Sequence, residues 1–199
     1  MDYSVTLQGH DLEYIDDEHI YLIDGRIVPS ITGLLSVRFG RKYENVNADV
    51  LRRASEKGTA IHDAIEQYCK YGTESDLPEV RNFKFLSNQY GFETVANELP
   101  VILCKDGEPI SAGRLDMVIV MDGAYGLADI KRTSVLDKEY LAYQLNLYRI
   151  AFQQSYQKDV SFLRGIHLRD NVRKFVSLPI NEALAWELVE EYFERSTDE

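Results

Sequence analysis

The 199-residue chain encodes a mixed α/β (α+β) domain, a central mixed β-sheet with an antiparallel meander flanked by helices. Two observations point there. The hydrophobic period changes along the chain: helical up to about residue 91, strand-like from 92, helical again from 137, and strand-like once more from 160. Asp-Gly pairs at 106–107 and 122–123 separate three successive strand-like runs, as tight antiparallel turns require. At 45% hydrophobic residues, with five Pro and 12 Gly, the chain can bury one core and is not linker-rich.

The elements follow in order. Residues 19–28 (HIYLIDGRIV) form a hairpin that turns at Asp24-Gly25. Ser30 caps a short apolar helix, ITGLLS. The basic stretch RFGRKY (38–43) is expected to be a loop. A helix runs from Asn47 to about Tyr71, with Val50, Leu51, Ala54, Ala60, Ile61, Ala64, Ile65 and Tyr68 at helical spacing. Gly58 interrupts it, which suggests a kink or a close backbone contact. Pro78 opens a second helix that Gly91 stops. Residues 92–104, 109–121 and 124–134 are the meander strands. The helix at 137–157 carries the stripe Leu141, Leu145, Tyr148, Phe152, with Gln144 beside it. Strands at 160–168 and 172–178 and a last helix from near Asn181 complete a single domain. It divides into an N-terminal hairpin and helix (1–46), a core (47–157) and C-terminal strands and helix (158–199).

The net charge of −11 opposes nucleic-acid binding, which phosphate neutralisation dominates. The acid is uneven, however. Residues 10–18 carry five acids and no base, residues 182–199 seven acids and one base, and residues 19–181 are close to neutral. A nucleic-acid partner then requires local basic patches, bound metal cations, or both. The acidic last helix is expected to present a solvated face. Cys69 and Cys104 are too few for a disulfide framework or an iron–sulfur cluster. No run approaches the ~20 apolar residues of a membrane span, and the first residues lack a signal-peptide pattern. A cytoplasmic address is the expectation.

The segment GRLDMVIVMDGAYGLADIKRTS (113–134) carries the chemistry. Asp129 and Lys131 share one face of a strand while Ile130 points into the core. The hairpin brings Asp116 beside Asp129. Two carboxylates on an apolar hairpin repel each other and are costly to desolvate. A hard divalent cation relieves both costs, and the neighbouring ammonium can orient or deprotonate a metal-bound water. An isolated DxK is more often a surface salt bridge. Here Val118, Ile119, Val120, Leu127 and Ile130 make the hairpin a core one. His62 and Glu66 share a helix face, so His62 is a further ligand candidate and Glu66 can hold its other nitrogen or bind through water; a helix histidine satisfied by packing is the plainer alternative. Gln144 and Tyr148 lie four apart on the helix after the DIK strand, where ordinary packing, with Gln144 at the edge, is the alternative.

Gly58-Thr59-Ala60-Ile61-His62, Gly113-Arg114-Leu115-Asp116, Asp129-Ile130-Lys131 and Gln144-Leu145-Asn146-Leu147-Tyr148 follow the order GxxxH, GxxD, D/E-x-K, QxxxY. In this the chain resembles the PD-(D/E)xK nuclease superfamily, in its RecB-like exonuclease branch, over residues 58–148. VPSITGLLS is similar to compact phage and prophage members. The resemblance implies a restriction-endonuclease-like core and a Mg²⁺- or Mn²⁺-dependent deoxyribonuclease. His62, Asp116, Asp129 and the Ile130 carbonyl would hold one or two ions, with Glu98 and Glu66 as candidates for further acidic ligands. Lys131 would position or activate water; Gln144 and Tyr148 would organise the site and contact the DNA backbone. The implied substrate is DNA, linear or with free ends, in phage recombination or end processing in a bacterial host cytoplasm, alongside a single-strand annealing protein. The alternatives are a structure-selective endonuclease and a non-catalytic DNA-binding module. Arg38, Arg41, Lys42, Arg52, Arg53, Arg114 and Arg132 are the bases available to guide a strand.

Overall fold

The computed structural model describes residues 2–40 and 47–197. Arg41 and Lys42 lie outside them. Two sheets and six helices succeed one another as β1 (Tyr3–Leu7), β2 (His10–Ile15), β3 (Ile20–Ile23), β4 (Arg26–Val28), α1 (Ile31–Leu34), α2 (Ser36–Phe39), α3 (Ala48–Tyr71), α4 (Pro78–Tyr90), β5 (Glu93–Lys105), β6 (Glu108–Met121), β7 (Ala124–Lys131), α5 (Lys138–Tyr156), β8 (Phe162–Arg169), β9 (Val172–Leu178) and α6 (Glu182–Thr197).

The first sheet is antiparallel, in the order β1-β2-β3-β4. Its second half is the hairpin expected at Asp24-Gly25. Its first half, β1 and β2, adds a second hairpin: Asp11 and Glu13 are the exposed alternates of a strand whose Leu12 and Tyr14 are buried. Gln8 and Gly9 make the turn, both at positive φ.

The second sheet has the order β5-β6-β7-β8-β9. β5, β6 and β7 form the antiparallel meander, and β8 and β9 an antiparallel hairpin. β7 and β8 are parallel, so the chain must cross over between them, and α5 is that crossover. One face packs on α1, α5 and α6 through Leu127, Leu145, Leu163 and Leu188. The other packs on α3 and α4 through Ile61, Ile65, Phe83, Ile119, Ile130 and Ile166. A third apolar cluster joins the small sheet to Ile102, Cys104 and Ala112.

Local signals account for most boundaries. The Ser30 and Asn47 side chains cap α1 and α3 by accepting from Gly33 N and Asp49 N, and Asp137 caps α5 by accepting from Tyr140 N. Gly91 ends α4 at φ 66°. Three expectations need correction. α3 is continuous through Gly58, and a Cβ there would meet nothing within 4 Å, so this glycine marks neither a break nor a close approach. Arg38 and Phe39 belong to α2 rather than a loop, because Arg38 is held by Glu191 and Tyr143. The third meander strand stops at Lys131, where Arg132 turns to Glu79 and Asp170. Among the described residues, no helix is long and apolar enough to cross a membrane.

Candidate active site

Three carboxylates lie in one row across three adjacent strands. The β6–β7 pairing Met117↔Ala128 puts Asp116 opposite Asp129 one step further on. On the other side of β6, the rungs Asn97↔Met117 and Leu99↔Leu115 bracket Glu98 opposite Asp116. The row interrupts the normal alternation of the sheet. Ala96 and Leu99 both pack on the α5 side, as do Val118 and Leu115, so one residue's worth of pleat is lost at Glu98 and Asp116. Glu98 takes φ 49°, a left-handed conformation uncommon outside glycine, in the middle of a strand.

His62 of α3 reaches over this row. Its Nε2 donates to the Ile130 carbonyl at 3.1 Å, which leaves Nδ1 at 3.6 Å from both Glu98 Oε1 and Asp116 Oδ2. Asp116 Oδ2 also accepts from the Ile130 backbone N–H at 3.1 Å. Asp129, with its side chain only 2% exposed, is held by Lys131 Nζ at 3.0 and 2.7 Å from its two oxygens and by Gln144 Nε2 at 2.6 Å. Arg114 Nε sits 2.6 Å from Glu98 Oε2 and its guanidinium lies 5.5 Å from the Tyr14 ring centroid.

Charges balance inside this cluster. Burial alone would lower the His62 pKa, but Asp116, Glu98 and Asp129 outweigh it and push it up to about 9. Burial, followed by repulsion from Asp116, raises the Asp129 carboxyl against the opposing pull of Lys131. The Lys131 ammonium is likewise strengthened, since Asp129 and Asp116 overcome its own desolvation. The site is thus three acids neutralised by an imidazolium, an ammonium and a guanidinium.

Among the described residues, ligand atoms of His62, Glu98 and Asp116 lie within 4.8 Å of one another. His62 Nδ1 stands 3.6 Å from both carboxylates, beyond hydrogen-bond length, while His62, Asp116 and Glu98 keep the Ile130 carbonyl, the Ile130 N–H and Arg114 as their closer partners. A nitrogen and hard carboxylate oxygens suit Mg²⁺ or Mn²⁺. This set differs from the expected one. Glu98 is a full member, Asp129 is engaged by Lys131 and Gln144, and the Ile130 carbonyl is taken by His62. Glu66 does not hold the His62 ring; it pairs with Lys70. Glu98, a further acidic candidate in the sequence, owes its place in the set to the β5–β6 register that sets it opposite Asp116.

Gln144 and Tyr148 sit beneath the site rather than on its rim. Gln144 is buried, and its Oε1 has no partner among the described residues. Tyr148 is 4% exposed and fills the space over Gly113, where a Cβ would come within 3.0 Å of the phenol oxygen and 3.2 Å of Ile31. The glycine of GxxD therefore receives the tyrosine of QxxxY. This burial gives Tyr148 a packing role beneath the site. Of the expected guiding bases, Arg38, Arg52, Arg114 and Arg132 are all paired with carboxylates.

No protein-family model matches the chain, and no curated protein matches it. Solved structures do. The crystal structure of SSO0001 superposes with a TM-score of 0.50 at 15% identity, over 85% of this chain and 76% of that one. At that identity the likeness concerns the fold alone, a mixed α/β architecture.

Proposed function

We propose that the chain is a divalent-metal-dependent deoxyribonuclease of the PD-(D/E)xK type, acting on DNA ends. One observation carries this reading: carboxylates from three neighbouring strands form a row, an imidazole closes it from above, and an amine stands two residues beyond its last member. A structural salt bridge needs only one acid and one base; this row gathers three acids and three bases at one place on adjacent strands. His62, Glu98 and Asp116 would hold the ion, with Asp129 beside them. A bound Mg²⁺ or Mn²⁺ supplies Lewis acidity toward a phosphate oxygen and lowers the pKa of its water. Lys131 orients the attacking water and offsets charge on the phosphate. Gln144 fixes the Asp129 carboxylate so that Lys131 keeps one position. Tyr148 supports the strand beneath Asp116 through Gly113.

Incubation with linear and with covalently closed circular DNA, in Mg²⁺ or Mn²⁺, tests the reading. Loss of the linear form alone is the expected result. Cutting of the circle keeps the chemistry but makes the protein an endonuclease. Survival of both substrates overturns the assignment.

A further inference from the structure

The end of the sheet that carries Lys131 also carries a hairpin with an excess of basic residues. Residues 160–178 hold four bases against one acid in a protein of net charge −11. Register places Lys131 beside His167, and His167 beside Lys174, in one continuous row. Arg132, the next residue, reaches Asp170 in the β8–β9 turn at 3.4 Å, so the hairpin's lone acid is already engaged. Among the described residues, no ion pair ties up Arg169, Arg173 or Lys174. Arg173 instead lies over the Phe85 ring of α4, 3.7 Å from its centroid, and Phe85 is 45% exposed. That contact orders the side chain yet leaves guanidinium N–H groups to donate elsewhere. Asn82, Asn171, Arg173 and Lys174 line an open groove of about 430 Å³ at this hairpin.

The opposite side of the carboxylate row has the reverse sign. There a groove of about 500 Å³ is lined by Asp2, Asp63, Glu66 and Glu98, with Arg114. A polyanion nearing the row is repelled at the β5 side and attracted at the β8–β9 side.

Resting on the nuclease reading, we propose that the β8–β9 hairpin, with Arg169, Arg173 and Lys174, is the surface on which the DNA sugar-phosphate backbone docks, so that the strand enters the site from the β8 side. β9 is the edge of its sheet, and charged residues also keep edge strands from pairing with other chains. The two roles give different outcomes.

The test is fluorescence anisotropy of a labelled DNA duplex in EDTA across a salt series, for the full chain and for Arg173→Glu/Lys174→Glu, with cleavage in Mg²⁺ run alongside. Docking requires the variant to bind at least ~10-fold more weakly, with a log K against log salt slope smaller by about 2. Arg169→Gln/Lys174→Gln, which keeps the Phe85 contact, should show the same trend more weakly and serves if the charge-reversed variant loses its fold. Unchanged affinity and slope in folded variants overturn the docking role and leave the edge-protection role. If the variants lose binding while the parent cleaves nothing, the docking surface stands and the nuclease reading falls. If the parent binds no DNA, both fall.

Discussion

Removing the Lys131 ammonium leaves Asp129 as a charged group that is 2% exposed, with Gln144 as its one remaining partner. Breaking a buried pair costs ~3–5 kcal/mol, and since the Lys131 side chain is 26% exposed we expect the low end, ~3 kcal/mol, for Lys131→Ala. Urea denaturation measures it, and adding Asp129→Asn should recover most of the loss while cleavage stays abolished. A single variant as stable as the parent would contradict the pairing. His62 responds to pH with a definite sign. Its folded pKa, about 9, lies above the unfolded value of ~6.5, so its stabilisation is complete below pH ~6.5 and fades as pH rises through 9. The raised Asp129 carboxyl has the same sign but acts at lower pH, its contribution fading between the ordinary carboxylate range and about 6, so the window above pH ~6.5 belongs to His62. Melting curves in EDTA should therefore show stability falling over that window by on the order of 3 kcal/mol at most, and His62→Gln should flatten the profile. The sequence contains the identities of Lys131, Asp116, Asp129 and His62 in recognisable spacing. It does not show who pairs with whom. The roles of Glu98 and Arg114 depend on a strand register 15 or more residues away, which local pattern cannot reveal.

Strand β6 meets helix α5 at Gly113, and the fit there is tight. A methyl group would press on Tyr148 Cε1 and Oη at 3.0 Å and on Ile31 Cβ at 3.2 Å. Gly113→Ala should cost ~1–3 kcal/mol through overpacking, read by chemical denaturation, and should lower divalent affinity by displacing Asp116 three residues on. Gly113→Ala/Tyr148→Phe removes the hydroxyl contact and should regain part of both; equal losses in the two variants would dissociate the tyrosine from the glycine. The meander and the α5 crossover were legible because their periods are clean and their turns carry Asp-Gly. Gln144 was harder to place: residues 141–148 of α5 are buried all round, between sheet and α6, so a single-sided stripe wrongly leaves Gln144 at an edge. β1 and β2 were obscured by the opposite effect, acidic residues alternating with Leu12 and Tyr14 and reading as one polar run.

Across the entire chain, charge is distributed more purposefully than its total suggests. On α6, Glu182, Glu190 and Glu191 reach back to Arg149, Lys105 and Arg38, while Glu182 and Glu190 stay more than half exposed, as a solvated face requires. The small sheet is fastened to the site itself. Tyr3, Tyr14 and Tyr21 pack in a file, with centroids 5.4 and 4.7 Å apart, and Tyr14 lies against Arg114, which pairs with the Glu98 carboxylate. If this file positions Glu98, then changes in the small sheet must be felt by the ion although no residue there is a ligand. Arg114→Met keeps the apolar stem and removes the charge, so it should weaken Mn²⁺ binding severalfold by calorimetry while costing ~1 kcal/mol or less, since the pair is partly solvated. Tyr14→Leu removes the ring's electrostatic face and should weaken Mn²⁺ binding in the same sense by a smaller factor. Added to Arg114→Met, it should produce no further loss of affinity, because both act through one contact. Additive losses would mean that Tyr14 supports the fold and Arg114 the site by separate routes.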